Sequence, residues 1–129
     1  MRFTQPGRSL ARLLEPRSIA FVGASDRSVW SRSASNNLKL LGYEGEVHMV
    51  GRQATIHEAA AVPSIADLPV AVDVALLLLP GHAVLDAVRD LGRRGIPNAV
   101  VIAGGFADAG SEGAAIQREV QAVAKGEGI

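Results

Sequence analysis

Four short apolar runs punctuate the chain, and each stops at glycine or proline. The first covers Ser18 to Gly23 and the second Glu46 to Val50, just ahead of Gly51. The third covers Val72 to Leu79 ahead of Pro80, and the fourth Ala99 to Ala103 ahead of Gly104 and Gly105. Short runs that stay apolar at consecutive positions, rather than alternating, predict strands buried on both faces of a parallel sheet. Between them the spacing turns helical, over Ser33 to Leu41, His82 to Arg94 and Glu112 to Lys125. In the second of these, Val84, Leu85, Val88 and Leu91 form an apolar stripe, while Asp86, Arg89, Asp90 and Arg93 form the wet side. A lead-in helix is predicted over Ser9 to Leu14, with Ser9 as its cap and Pro16 as its stop, and a single turn over Ser64 to Asp67 precedes the third strand.

Strand followed by helix, repeated, implies crossovers on both faces of one sheet. The expected fold class is α/β, a Rossmann-like doubly wound parallel sheet. No repeat or low-complexity linker divides the sequence, so residues 1–129 read as a single domain. Lys125 and Gly126 read as a helix end with a left-handed cap, and Glu127 to Ile129 as the start of another strand. On that reading the chain is a piece of a longer polypeptide.

Composition narrows the function. The 13 basic and 13 acidic side chains cancel, which removes the electrostatic footprint that nucleic acid or an anionic membrane would require. The absence of cysteine excludes disulfides, thiolate metal clusters and a cysteine nucleophile, and fits a reducing cytoplasm. Arginines stand at Arg2, Arg8, Arg12 and Arg17, but Glu15 and Pro16 break the apolar stretch that an export signal needs. The longest apolar run, Val74 to Leu79, is far below the roughly 18 residues of a membrane helix. No two of His48, His57 and His82 share metal-ligand spacing on one element, so no metal site is expected. His48 is expected to pack within a strand, His57 to lie in an exposed loop, and His82 to start a helix.

In an open parallel sheet, ligands bind beyond the carboxyl ends of the strands, where strand order reverses. The loops at those ends therefore carry the candidate chemistry. Gly23, Ala24, Ser25, Asp26, Arg27 and Ser28 follow the first strand; Gly23 would let the backbone approach a ligand, and the next helix would aim amides at a phosphate. A side chain at Gly23 is expected to block that approach. The loop has neither the G-x-G-x-x-G spacing of nicotinamide binders nor the GK[ST] ending of nucleoside-triphosphate loops. After the second strand stand Gly51, Arg52 and Gln53, where a dinucleotide site would place an acid; Arg52 either contacts a phosphorylated ribose or is a solvated loop residue. Pro80 would lie flat against an adenine or pantetheine, or simply begin a helix, and the glycine-rich loop from Gly104 to Gly110 would offer amides to an anion. Trp30, placed in the first loop, reads as a lid or a partner contact rather than core.

The same residues resemble a known family. Leu13 to Arg27, Ser64 to Pro69, Val72 to Ala75 and Gly105 to Gly113 look like the N-terminal CoA-binding domain of the NDP-forming (ADP-forming) acyl-CoA synthetases, the superfamily of the succinyl-CoA synthetase alpha subunit. The resemblance implies that Gly23, Ala24, Ser25 and Arg27 surround the phosphates of coenzyme A and that Gly51 and Arg52 face its adenosine. It also implies that Pro80, Ala103 and Gly104 border the adenine and pantetheine. Val50, Gly51 and Arg52 stand where the family usually has an Asn-Pro-Lys-like segment. The family's phosphorylated histidine lies in the following domain, and none of His48, His57 or His82 matches it. Nucleoside triphosphate and magnesium would thus enter only through downstream ligase domains, and this chain would supply CoA binding alone. Asp26 to Ser31 looks like members, such as feruloyl-CoA synthetases, that activate aromatic acids. Two alternatives are the CoA-binding regulatory domain of a fused protein-lysine acetyltransferase and a nicotinamide-dinucleotide-sensing Rossmann module. The second should carry the full glycine fingerprint and a basic DNA-binding domain.

Overall fold

All four apolar runs form strands, in a computed structural model that describes residues 10–129. They are β1 (Ser18–Val22), β2 (Glu46–Val50), β5 (Val74–Leu77) and β6 (Ala99–Val101). The last two are shorter than the sequence suggests: β5 omits Val72 and Asp73 at its amino end and Leu78 and Leu79 at its carboxyl end, and β6 omits Ile102 and Ala103. Two further strands, β3 (Thr55–Ile56) and β4 (Ala59–Val62), come between β2 and β5 in the sequence and extend the sheet beyond β2. Among the described residues the sheet has six strands in the order β3-β4-β2-β1-β5-β6, with every neighbouring pair parallel except β3 and β4. Strand order reverses at β1, which has β2 on one side and β5 on the other.

The period of two along β1 divides the core. Ala20 and Val22 pack on the side of α3 (Gly81–Arg94), with Val84, Val88 and Leu91, while Ile19 and Phe21 face Met49, Ile56 and Val74 on the other side. The predicted stripe of α3 is buried at Val84, Val88 and Leu91, and Leu85 is half-buried. At the amino ends of the strands Asp73 clips β1 to β5. Its carboxylate accepts from the Arg17 amide at 2.8 Å, and its amide donates to Ser18 Oγ at 3.0 Å. Tyr43 donates to the Pro16 carbonyl at 3.0 Å. Burial first, then the carboxylates of Asp73 and Glu46, push its phenol above the usual range.

Several boundaries differ from expectation. The lead-in helix is α1 (Leu10–Leu14); its predicted cap, Ser9, lies outside the described residues, as do Arg2 and Arg8. α2 runs Val29–Leu40, starting four residues earlier than Ser33, because Ser28 is extended and its Oγ accepts from the Ser31 amide at 3.2 Å. Trp30 therefore sits in the first turn of a helix rather than in a loop, and is 68% exposed. At the other end α4 (Ser111–Glu127) runs through Gly126, and the left-handed residue is Gly128 at φ +79. The Ile129 amide donates to Ala124 O at 2.8 Å and the Gly128 amide to Lys125 O at 3.3 Å, while the Ile129 side chain joins the core. That apolar contact goes with Gly128, rather than Gly126, as the cap, so Glu127 is the last residue of the helix where the sequence suggests the start of a strand.

The β3 and β4 pair meets in a two-residue turn, His57 and Glu58, at φ +49 and +65. Such turns require positive φ at both central residues and are usually built from asparagine and glycine. Glu58→Gly is expected to stabilise the fold by about 1 kcal/mol, the left-handed penalty less glycine's extra entropy in the unfolded chain. Urea denaturation reads this directly, and a loss of stability would contradict the turn assignment.

Candidate functional site

Strand order reverses at the β1 carboxyl end, and there a cleft of about 320 Å3 opens on the α3 side of the sheet. Gly23, Gly51 and Arg52 line it together, with Leu79, the residue before Pro80, as a further wall. Asp86 and Asp90 lie along its α3 side, but each is already paired, with Arg89 at 3.1 Å and Arg93 at 2.9 Å. Repulsion of an anionic ligand by these acids is thereby reduced. Arg52 is exposed on the rim and forms no ion pair among the described residues.

The other predicted site residues fall into two groups. Pro80 starts α3 beside the last loop, where a Cβ on Gly81 would come 2.7 Å from Gly104 O. Pro80 and Gly104 thus border one part of the edge, with Ala103 half-buried against the core below. Ala24 is buried at 3% exposure and packs with Ile56 and Met49, so its side chain faces away from any ligand. Ser25 is half-buried and Arg27 exposed at the outer end of the first loop.

Expected backbone donors are largely engaged by the protein itself. The Gly23 and Ala24 amides both donate to the Val50 carbonyl, at 3.0 and 3.1 Å. Asp26 N donates to Gln53 Oε1 at 3.0 Å, and Ser28 N to the Ser25 carbonyl at 3.1 Å. In the Gly104 to Gly110 loop the Phe106 amide is held by Asp108 at 2.9 Å and the Ala107 amide by Gln117 at 3.0 Å. A Cβ on Gly113, in the first turn of α4, would overlap the Phe106 carbonyl, so that glycine lets the loop seat on α4. The exposed cations at this edge, Arg27 and Arg52, form no ion pair among the described residues, and Ser28 caps the start of α2 beside them.

His57 is the residue that the sequence misplaces. It is expected in an exposed loop, yet its side chain is only 8% exposed, with Nε2 2.7 Å from Ser31 Oγ and Nδ1 3.5 Å from Asp26 Oδ1. The order Ser31, His57, Asp26 has the outline of a nucleophilic triad, but Ser31 is fully buried and its hydroxyl already bonds the Ser25 carbonyl at 3.0 Å. No substrate carbonyl can reach it. His48 contacts Glu46 at 3.0 Å on β2 and His82 is exposed in the first turn of α3. No group of three metal-ligating side chains assembles among the described residues. None of the described helices is long and apolar enough to cross a membrane.

Residues 17–129 match the family described as CoA binding domain. The chain belongs to the CoA-binding domain family. A trans-feruloyl-CoA synthase from an unknown prokaryotic organism is 34% identical over 119 residues, covering 91% of this chain and 17% of the relative. The ADP-forming acetate-CoA ligase II of Archaeoglobus fulgidus is 35% identical over 131 residues, covering 99% and 19%. Among solved structures, the apo form of the dinucleotide-forming acetyl-coenzyme A synthetase 1 of Candidatus Korarchaeum cryptofilum superposes with a TM-score of 0.86 at 31% identity, covering 94% of this chain and 26% of that one. The CoA-binding domain spans less than a fifth of the length of these two curated relatives. Its Rossmann-like sheet is the fold those synthetases share with it.

Proposed function

We propose that this CoA-binding domain holds coenzyme A within a longer NDP-forming acyl-CoA synthetase of the cytoplasm, whose other domains activate a carboxylic acid. Nucleoside triphosphate and magnesium act in those domains, and residues 1–129 form the one domain that supplies the thiol cofactor. The observation that carries this reading is the cleft at the strand-order reversal, with Arg52 on its rim and both nearby acids paired with arginines. At about 320 Å3 it has room for a nucleoside-sized part of a ligand. The remainder would lie along the edge past Pro80, Ala103 and Gly104. Arg27 and Ser25, at the outer end of the first loop, would face the pyrophosphate. Gly23, Ala24 and Gly51 would shape the backbone beneath it. Relatives named for ferulate and for acetate match the chain equally, at 34% and 35% identity, which supports a role in the CoA half of the reaction rather than in acyl choice.

Arg52 supplies the test. If it reads the ribose phosphate, Arg52→Ala should weaken CoA by the roughly 1.5 to 3 kcal/mol of a charge-assisted contact, about tenfold or more. Affinity for dephospho-CoA, which lacks that phosphate, should stay as it was. Calorimetric titration of both ligands measures the difference. Equal losses would move Arg52 to the pyrophosphate, and no loss for either ligand would remove it from the site.

A further inference from the structure

We infer that His57 is a positioning residue for the coenzyme A loop, acting through Ser31 and resting on the CoA-binding role proposed above. Two segments expected to meet the ligand, the loop after β1 and the segment after β2, are tied together by side chains. His57 N donates to Asp26 Oδ1 at 2.7 Å, while Gln53 accepts from the Asp26 amide at 3.0 Å and donates to Asp26 Oδ2 at 3.3 Å. Behind them Ser31 bonds Ser25 through both its backbone groups: the Ser25 amide at 3.4 Å and its carbonyl at 3.0 Å. His57 Nε2 reaches that same hydroxyl at 2.7 Å. The imidazole therefore stands between the hydroxyl that sets Ser25 and the carboxylate that sets Asp26, and the exposed Arg27 follows directly on both.

The backbone makes the same point. At φ +49 His57 occupies a region that L residues avoid, in a turn where glycine would fit without strain. A strained position with a buried, hydrogen-bonded side chain points to a side chain held for its contacts rather than for the turn. Neither ring nitrogen touches the cleft, so His57 orders the loop without contacting ligand.

The test compares three variants by CoA titration and thermal melting, below the melting temperature of each. His57→Gly suits the turn and should melt close to the wild type, yet bind CoA about tenfold more weakly, the scale of one lost hydrogen bond in an ordered site. His57→Gln, whose amide can reach Ser31 Oγ, should regain most of the affinity. Ser31→Ala removes the shared hydroxyl with its own bonds to Ser25 and should lose at least as much as His57→Gly, and the double variant should lose no more than Ser31→Ala alone. Wild-type affinity in His57→Gly, or additive losses in the double variant, would overturn the inference while leaving CoA binding itself in place. A wild-type domain that does not bind CoA would instead overturn the reading on which the inference rests.

Discussion

Gly23→Ala is expected to melt roughly 8 to 20 °C below the wild type, whether or not CoA is present. Gly23 sits at φ +83, and a Cβ there would overlap the Leu78 carbonyl oxygen and come 2.7 Å from Leu79 Cδ2. The left-handed conformation costs about 1 to 2 kcal/mol for an alanine, and overpacking adds about 1 to 3. The obstacle is backbone held in the sheet: Leu78 N donates to Val22 O at 2.8 Å, so the neighbour has little freedom to shift. At roughly 4 °C per kcal/mol for a domain of this size, these costs give the stated range. Gly104→Ala is the contrasting case. Its Cβ would meet only Asp108 Oδ2, at 3.7 Å, so melting should move by no more than about 2 °C within the usual range of surface substitutions. Thermal denaturation of the two variants separates the glycine the fold requires from the glycine the ligand edge can use. An unshifted Gly23→Ala that loses CoA would return Gly23 to a role in phosphate approach.

That contrast shows where the sequence is legible. Continuous apolar runs ending at glycine or proline mark β1, β2, β5 and β6, but the burial on both faces that such runs predict holds mainly for β1 and β5, since Val100 and Val101 of the edge strand β6 are 40% and 38% exposed. β3 and β4 escape because β3 is only two residues long and the alanines from Ala59 to Ala61 in β4 carry little strand preference. Their pairing is decided by a turn of His57 and Glu58 that has no glycine or asparagine to announce it. The same hidden hairpin brings His57 under Ser31 from 26 positions away, which is why its burial could not be read locally. One signal was present: Ser25, Ser28 and Ser31 recur every three residues, and Ser28 proves to be the cap that starts α2 at Val29. Gly23, Gly51, Pro80 and Gly104 are correctly drawn to one end of the sheet by the rule of strand ends. The use of the Gly23 and Ala24 amides by the Val50 carbonyl depends on register between β1 and β2, which sequence does not specify.

Saturating CoA is expected to produce the largest stabilisation this domain can show. A ligand that binds the folded chain at 100 times its dissociation constant contributes about 2.7 kcal/mol by mass action. For a domain of this size that raises the melting temperature by roughly 10 °C. Nicotinamide dinucleotides should contribute far less, since the loop after β1 lacks their glycine spacing and Arg52 stands where their ribose is met by an acid. The measurement that bears most directly on the whole account is a thermal melt of the purified domain across a concentration series of CoA, with NAD and NADP as parallel series. The account predicts a melting temperature that climbs with CoA and stays nearly flat with either dinucleotide. A folded domain unmoved by millimolar CoA, or shifted further by NAD or NADP than by CoA, would contradict it.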